Sequence, residues 1–507
     1  MKKKLLFIPL LSVLSLTSCI KGTEPSQPDE IIPNNSSSEI ISGSESSSSE
    51  TSIEIIDDVN PTFNYSQKDY DDFFNPTKDV EVVVTITNER ILKLAEYGLG
   101  NFTKQEMYHP CDVVIKIDGE ERFNGEEVGL RMKGNTSRNH DFVSNDGHLN
   151  SCSHFKMSFN QTFDSEEKND YYIRTWEDSD ARKERKNRVF GEMKKIDFKW
   201  NRNYDNTFTR EAYSKEIYRD AGVLAQNYNL VKFTLKTDSD EQTYIYSAIE
   251  CIDSTMLKKY YSKSAAKGNL YKGIYARADL TTDSLSGIGV ESETSDPWYC
   301  LKTNEDEPDH TLLTNVINVL NKRSTAEQSK RDLVNIINID IVLRYMAVAW
   351  VVGDPDDLRN NANNSYFYFD SDSNKMIIIP YDDDRCFGIT NNWNVNMSDL
   401  PDYSTRMQGM SAVYGGKVWQ KNPLFWKLIL SDSSIGSSSS KWPVIQEYRE
   451  RYFAYCKEYA QKYLDVDKFQ AFTNQFVNAP SKNISNGGQD NQTFEYYANK
   501  KLTVLSN

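Results

Sequence analysis

The stretch IIIPYDDDRCFG, residues 377–388, decides the fold class and raises the question of function. Its three β-branched isoleucines predict a buried strand. Pro380 ends ladder pairing, and Gly388 allows a turn that other residues resist. Three adjacent aspartates, residues 382–384, follow the strand directly and repel one another unless something positive neutralises them. We therefore expect a cation at the end of this strand.

The chain just before this strand is acidic and rich in asparagine. The run GDPDDLRNNANNSYFYFD, residues 353–370, follows an apolar segment at 330–353 that predicts a long buried helix. Its aromatic end predicts a strand that forms a hairpin with 375–380. Carboxylate and amide oxygens are hard ligands that favour Mg²⁺, Mn²⁺ or Ca²⁺. The sequence thus predicts a divalent cation against the triple aspartate; the alternatives are a solvated acidic turn and a calcium site that only stiffens the loops.

The earlier part of the chain is dominated by strand patterns, whereas the later part is dominated by helical ones. This division predicts an α+β fold of two lobes, one rich in sheet and one rich in helix, with the acidic strand end between them. In the early part we expect strands at 79–91, 111–117, 120–137 and 154–160, a helix at 207–222, and a hairpin of 229–237 with 242–253.

A basic loop follows one of these strands. The segment RMKGNTSR, residues 131–138, offers backbone N–H groups, hydroxyls and positive charge to phosphate oxygens. The alternative is an ordinary basic turn, which is common in proteins. The candidate phosphate-binding residues are Arg131, Lys133, Asn135, Ser137 and Arg138.

Two charged residues stand on otherwise apolar predicted strands. Lys156 lies in HFKMSFN, residues 154–160, and Glu250 lies in YSAIECID, residues 246–253. A carboxylate in such a strand needs a partner. The alternatives are a lysine that reaches solvent from a sheet edge and a structural ion pair of Glu250 with any lysine.

The chain begins with a targeting segment. In MKKKLLFIPLLSVLSLTSC, residues 1–19, three lysines precede an apolar run too short to span a membrane, which predicts a signal peptide over 1–18. The last four residues resemble a bacterial lipobox, so we expect lipidation of Cys19. The alternative is ordinary cleavage nearby, with Cys19 incidental. Residues 19–60 predict a Ser-rich flexible tether, which leaves 61–500 as one elaborated domain.

Composition limits the partners. The 507 residues carry a formal net charge of −15, and no basic run offsets it, so nucleic acid is excluded as the main partner. Six cysteines besides Cys19 have spacings that suit no metal motif, and both disulfides and buried free thiols remain open. The leader predicts an extracytoplasmic lipoprotein, anchored to the membrane at the cell surface.

The motifs match a known family in their order and spacing. The ordered set RMKGNTSR, KMSFN, YSAIECID, GNLYK, LKTNED, NSYFYFD and IPYDDDRCFG resembles the CotH spore-coat kinase family, from about residue 80 to the end of the folded part. The resemblance implies an atypical protein kinase that uses ATP and Mg²⁺ or Mn²⁺ to phosphorylate serines of protein substrates. It also implies Ser-rich proteins and nucleotide as partners.

The resemblance also implies roles for residues. Asp382 matches the metal-binding aspartate, Asp384 the second acid, and Asp356 the catalytic aspartate that accepts the substrate proton. Asn364 matches the family asparagine, but the Asp-x-x-x-x-Asn spacing of ordinary kinases selects Asn361. Lys156 would hold the nucleotide phosphates, oriented by Glu250, and the 131–138 loop would lie on the phosphate side.

The sequence departs from the family pattern at two places. Tyr381 stands where the family usually has tryptophan, and extra residues separate Asp356 from Asn364. Asp354 and Asp357 crowd the same loop, so the base remains open among the three aspartates. ATP is scarce outside the cytoplasm. A non-catalytic protein of surface adhesion or wall assembly on the same fold is therefore the alternative function.

Overall fold

A seven-stranded closed barrel forms the first half of the folded chain. The computed structural model describes residues 67–506 within one compact unit, Asp57–Asn507, with gaps at 99–106, 135–136, 165–172, 275–276, 292–296, 390–400, 402–421, 431–442 and 485–491. The barrel strands are β1 (Val80–Thr85), β2 (His109–Ile117), β3 (Glu120–Met132), β4 (Phe155–Ser158), β5 (Lys195–Lys199), β6 (Tyr228–Lys236) and β7 (Glu241–Glu250).

The barrel closes because its apolar residues alternate along the strands. On β1, Val80, Val82 and Val84 are buried, whereas Glu81 and Thr85 face outward. Neighbouring strands are antiparallel, in the order β1-β2-β3-β4-β5-β7-β6, and a parallel pairing of β1 with β6 closes the ring. Charged side chains are thereby placed on the outer face of β3, β4 and β5.

The helices of the barrel half pack around it. They are α1 (Lys68–Phe73), α2 (Asn88–Gly98), α3 (Ser179–Asn187) and α4 (Arg210–Asp220). The prediction of a helix at 207–222 is confirmed in α4, and the predicted hairpin of 229–237 with 242–253 is confirmed in β6 and β7.

The second half combines a five-stranded sheet with helices. The sheet has the order β12-β11-β8-β10-β9. Its strands are β8 (Asn269–Gly273), β9 (Ile288–Val290), β10 (Tyr299–Leu301), β11 (Ser365–Phe369) and β12 (Met376–Pro380). The helices are α5 (Ser254–Tyr260), α6 (Thr311–Asn321), α7 (Ala326–Leu333), α8 (Ile339–Val352), α9 (Leu358–Asn361), α10 (Pro423–Leu428), α11 (Gln446–Tyr463), α12 (Val466–Gln475) and α13 (Phe494–Ser506).

The hairpin that leads to the acidic stretch is confirmed. Ser365 pairs with Pro380 and Phe369 with Met376, so β12 ends beside the start of β11. Helix α8 lies on this hairpin and is almost wholly buried. It ends at Gly353, whose φ of 64° is left-handed, as a helix C-terminus often requires. The acidic loops before β11 and after β12 therefore meet at one end of the hairpin.

Two predicted boundaries are wrong. The strand expected over 79–91 ends at Thr85, and α2 begins at Asn88. The helix expected over 330–353 is two helices, because the Asn338 side chain caps a new start by accepting the Ile341 N–H. Strand β5 was not predicted. The half expected to be rich in helix also contains its own sheet.

The structure therefore shows a mixed α/β protein with two main hydrophobic cores, one inside the barrel and one around α8. In the described part of the chain, no helix combines the length and apolarity needed to cross a bilayer. Cys111, Cys251, Cys300 and Cys386 are buried free thiols. For these four cysteines the structure therefore agrees with the prediction of buried thiols rather than with that of disulfides.

Candidate functional site

Three aspartates follow β12, and lysines from the barrel half neutralise them. The ammonium of Lys199 on β5 contacts Asp382 and lies 3.4 Å from an oxygen of Asp384. The buried Asp383 accepts a hydrogen bond of 2.8 Å from the ammonium of Lys215 on α4. Side chains of this protein thus supply the counter-charge for which the sequence predicted a metal ion.

Lys199 faces a third carboxylate as well. Its ammonium lies 3.0 Å from both oxygens of Glu211, in the first turn of α4, and both residues are buried. Burial would lower the pKa of Lys199, but the three surrounding carboxylates hold it well above its usual value. Burial raises the pKa of Glu211 to about 7 despite the nearby ammonium. Three carboxylates therefore converge on one lysine.

The backbone at this point is unusual. Asp382 has a φ of 57° and Asn364 a φ of 48°, a left-handed region that is costly for most non-glycine residues. The two residues are neighbours, because the Tyr381 N–H donates to the Asn364 carbonyl at 3.1 Å. Burial would raise the pKa of Asp382, but Lys199 and Lys133 hold it well below its usual range. Such outliers concentrate at functional sites.

A cationic face lies across β3, β4 and β5. Arg131, Lys156 and Asp197 are paired in register on these strands, so their side chains share the outer face. The buried Asp197 accepts a hydrogen bond of 2.7 Å from Lys133 and lies 3.3 Å from the Lys156 ammonium. Burial would raise the pKa of Asp197, but these lysines hold it well below its usual range. One carboxylate against three cations leaves excess positive charge.

Gly134 and Ser137 lie close together after β3, on either side of residues 135–136, which are outside the described ranges. Gly134 has a φ of 91°, and a Cβ there would collide with the Ser137 hydroxyl. The guanidinium of the buried Arg138 donates to the Gly134 carbonyl at 2.7 Å. Asn135, which the sequence places among the phosphate-binding candidates, lies outside the described residues. The Arg138 side chain therefore lies beside the backbone of Gly134, two residues after the end of β3.

Asp356 lies in the loop between α8 and α9 and is partly buried. Its carboxylate accepts hydrogen bonds from the side-chain amides of Asn361 at 2.6 Å and of Asn363 and Asn364 at 3.3 Å. Burial raises its pKa to about 6, although the amides of Asn361 and Asn363 oppose the shift, and nearby Asp382 adds to it. A carboxylate with this pKa is ionised at pH 7 yet basic enough to accept a proton.

The two neighbouring aspartates are engaged with the backbone. Asp354 accepts the N–H groups of Asp356 at 2.7 Å and Arg385 at 3.0 Å, which joins the two acidic loops. Asp357 caps α9 by accepting the N–H groups of Arg359 and Asn360. Both carboxylates have the role of stabilising the loop. The geometry therefore favours Asp356 as the base among the three aspartates.

A family model described as CotH kinase protein matches residues 130–503, which is most of the chain. The chain belongs to the CotH kinase family. Curated proteins offer no match. Among solved structures, a match is the crystal structure of a Helicobacter pylori proinflammatory kinase, CtkA, at 11% identity and a TM-score of 0.25. That match covers 61% of this chain and 86% of CtkA.

The predicted partnership of Lys156 with Glu250 in this CotH family member is wrong. Lys156 lies beside Asp197, whereas the buried Glu250 accepts a hydrogen bond of 2.7 Å from Lys259 on α5. Glu250 also accepts the Asn227 N–H at 3.2 Å. The Glu250 carboxylate did require a partner on its apolar strand. That partner is Lys259, in the structural ion pair that was the alternative interpretation of Glu250.

The ion pair that faces the acidic loop was missed. It consists of Lys199 and Glu211, and a signal for the lysine was present in KIDFK, residues 195–199. There Lys195, Asp197 and Lys199 alternate with apolar residues, as in a strand with one charged face. Glu211 gave no such signal, because an acid in the first turn of a helix is ordinary.

The oxygen donors at the acidic loops fit the divalent ion that the CotH kinase family implies. Asp382 and Asp384 both reach the same ammonium, and among the described residues the buried amide oxygen of Asn361 has no hydrogen-bond partner. Such oxygens are the ligands that Mg²⁺ and Mn²⁺ prefer. Within the described ranges, no three His, Cys, Asp or Glu side chains are already arranged around a metal position.

Two cavities adjoin α4. A cavity of about 30 Å³ lies beside Lys199, Glu211 and Asp384. A larger one of about 500 Å³ lies at the opposite end of the helix, where Arg219 and Tyr260 contribute to its wall. The larger cavity contains none of the acidic-loop residues, so volume alone does not mark the candidate site of this CotH family protein.

Proposed function

We propose that this protein transfers the γ-phosphoryl group of ATP to serine or threonine hydroxyls of a protein substrate. The observation that carries the proposal is the contact of Lys199 with both Glu211 and Asp382. Protein kinases place a strand lysine against a helix glutamate and next to a metal-binding aspartate. Along a protein kinase sequence, the strand lysine comes first, followed by the helix glutamate, the catalytic aspartate and the metal-binding aspartate. In this chain Lys199, Glu211, Asp356 and Asp382 come in that same order.

The proposed transfer uses Asp356 as the base. The hydroxyl oxygen of the substrate bonds to the γ-phosphorus as the bond to the β–γ bridging oxygen breaks, and ADP leaves. The hydroxyl proton passes to the Asp356 carboxylate, whose pKa of about 6 suits this task near neutral pH. The Asn361 and Asn364 amides hold that carboxylate in place.

The cationic residues would bind the polyphosphate. Lys156 on β4 is the most accessible of them, with 21% of its side chain exposed, and it pairs in register with Arg131 on β3. A bound Mg²⁺ or Mn²⁺ would neutralise charge on the phosphates. Asp382, Asp384 and Asn361 are the residues that would hold it.

We also propose that the barrel and the helical half act as two lobes with nucleotide between them.

Lipidation of Cys19 would anchor the chain to the membrane at the cell surface, and Ser-rich proteins there would be its substrates. The leader sequence supports this location, and Cys19 lies outside the described residues. Replacing Cys19 by Ala should move the protein from the membrane fraction to the soluble one, and a variant that stays in the membrane fraction contradicts the lipid anchor.

Transfer of label tests the kinase proposal. The full chain is incubated with γ-labelled ATP, Mn²⁺ or Mg²⁺, and a Ser-rich protein, and label on serine is measured. We expect wild type and Lys78→Met, a surface control, to transfer label, whereas Lys199→Met should not. A wild-type chain that binds ATP but transfers no label contradicts the proposal. That result would favour the non-catalytic role in adhesion or wall assembly.

A further inference from the structure

Two buried nitrogen atoms near the candidate site have no hydrogen-bond partner in the described part of the structure. They are Nε2 of His154 and Nε1 of Trp200. The two rings meet edge to face, with centroids 6.2 Å apart. His154 is 3% exposed, so its nitrogen is shielded from bulk solvent. An enclosed polar atom without a partner destabilises the fold, and two adjacent ones require an explanation.

Both rings lie next to residues already placed in the site. The His154 carbonyl accepts the Lys133 N–H at 3.0 Å, and its Nδ1 is 3.9 Å from the position that a Cβ on Gly134 would take. Trp200 directly follows Lys199, and its side chain lines the small cavity beside that lysine and Asp384. The unpartnered nitrogens therefore border Gly134 and the lysine of β5.

Cations and carboxylates both lie near His154, since Lys199 and Lys133 are each paired with acidic side chains. Burial lowers the pKa of His154 well below its usual value, and the nearby Lys199 and Lys133 lower it further, against the opposing effect of Asp382. The imidazole is therefore neutral at pH 7 and carries one N–H. Asp382 already has an ammonium partner in Lys199. An entering anion would meet neutral donors beside two lysines, and it would compete with the carboxylates already paired with those lysines.

We infer that His154 and Trp200 form an oxyanion site that binds a phosphoryl oxygen of a polyphosphate through two neutral N–H groups. The indole nitrogen can only donate, which excludes a metal ion as its partner. A phosphoryl oxygen suits these donors, because it only accepts hydrogen bonds and the neighbouring Lys133 and Lys199 favour negative charge. This inference rests on the proposed function and adds two phosphate-binding residues to it.

Binding of anions to the full chain tests the inference without requiring turnover. Affinities for tripolyphosphate and for ATP are measured by titration calorimetry. His154→Leu and Trp200→Phe each remove one N–H while keeping an apolar side chain, and each should weaken tripolyphosphate binding about tenfold or more, as expected for a hydrogen bond to a charged group. His154→Gln restores a donor and should recover part of the loss.

Trp176→Phe is the matched control, because the Trp176 N–H already donates to the Thr162 carbonyl at 3.0 Å. It should bind tripolyphosphate as wild type does. Thermal melting shows whether each variant is folded; if His154→Leu is not, Trp200→Phe and His154→Gln carry the test.

The outcomes separate this inference from the kinase proposal. Unchanged affinity in both Trp200→Phe and a folded His154 variant overturns the oxyanion site, even if wild type transfers phosphate. Weaker tripolyphosphate binding in these variants supports the oxyanion site, even if label transfer fails and the kinase proposal falls. A wild-type chain that binds neither tripolyphosphate nor ATP overturns the oxyanion site directly.

Discussion

The ammonium of Lys199 lies 3.0 Å from each carboxylate oxygen of Glu211, so a buried ion pair joins barrel strand β5 to helix α4. The same ammonium contacts Asp382 at the end of β12. One side chain thus joins the barrel, a helix and the acidic loop. Each connection is electrostatic and the Lys199 side chain is buried, which makes the arrangement sensitive to removal of the shared charge.

Lys199→Met should destabilise the protein strongly. It leaves Glu211 and Asp382 without their shared cation, and removing one partner of a buried ion pair costs roughly 3–5 kcal/mol. Urea unfolding of the full chain measures the loss. Adding Glu211→Gln to this variant should recover part of the stability but no phosphoryl transfer. A single variant that unfolds at the wild-type urea concentration would contradict the charge-sharing account.

Asp356→Asn should reduce phosphoryl transfer by ~10²-fold or more while sparing nucleotide affinity, because a base contacts the substrate hydroxyl rather than the phosphates. The comparison variant is Asp354→Asn, which weakens the bridge between the two acidic loops and should lower the melting temperature more than Asp356→Asn does. Initial rates with labelled ATP and calorimetric affinities distinguish the two. Equal transfer by Asp356→Asn and wild type would remove Asp356 as the base.

Lys156→Ala should weaken ATP binding without unfolding the protein. Its side chain is 21% exposed and its ammonium lies 3.3 Å from Asp197, which Lys133 continues to neutralise at 2.7 Å. Lys133→Ala should instead destabilise the fold, because the side chain of Lys133 is 9% exposed and forms the shorter contact. Affinity and melting temperature are measured for both. Unchanged ATP affinity in Lys156→Ala would assign the phosphate contact to another cation.

Asp382→Asn should abolish the stabilisation that Mn²⁺ and ATP together give to the full chain. A molecule that binds only the folded state raises the melting temperature, by an amount that grows with its concentration relative to its Kd. Asp382 is the side chain proposed to bind the ion. The control is Asp370→Asn, because Asp370 accepts backbone N–H groups in the β11–β12 turn. That control should keep the full gain. A wild-type chain with no metal-dependent shift would refute the metal site.

The contribution of His109 to stability should fall as the pH drops from about 6.5 toward 4, whereas the raised pKa values of Glu211 and Asp356 act in the opposite direction. Burial, with Arg90 and Lys93 nearby, lowers the pKa of His109 from 6.5 to about 4, so between these values the unfolded chain binds the extra proton. The free energy involved is at most about 3 kcal/mol. His109→Gln should remove this contribution from the pH dependence of unfolding by urea. Equal slopes would exclude His109 as the source.

Local chemistry made much of the fold predictable. The β11–β12 and β6–β7 hairpins were readable because a polar turn separates two apolar, β-branched or aromatic runs. The break between α7 and α8 could not be predicted from the sequence, because residues 334–337 are as apolar as the helix that follows. Only the Asn338 cap, whose side chain accepts the Ile341 N–H, ends the ambiguity.

The candidate site was predictable where its residues cluster in sequence. Asp356, Asp382 and Asp384 stand in acidic runs that signal their chemistry. The partner of Glu250 was not predictable, because several lysines were equally plausible and only the packing of α5 selects Lys259. The role of Lys199 likewise depends on β5 lying next to β7 and opposite the acidic loop.

The parallel pairing that closes the barrel has a consequence for folding kinetics. Val82 on β1 pairs with Phe233 on β6, about 150 residues later along the chain. The β1–β2–β3 meander can form from local contacts, but β1 then has an open edge until β6 arrives. Long-range pairings of this kind slow folding and expose strand edges to other chains. We therefore expect closure of the barrel to be a slow step in folding. Aggregation during refolding should decrease when the hairpin of β6 and β7 has already formed.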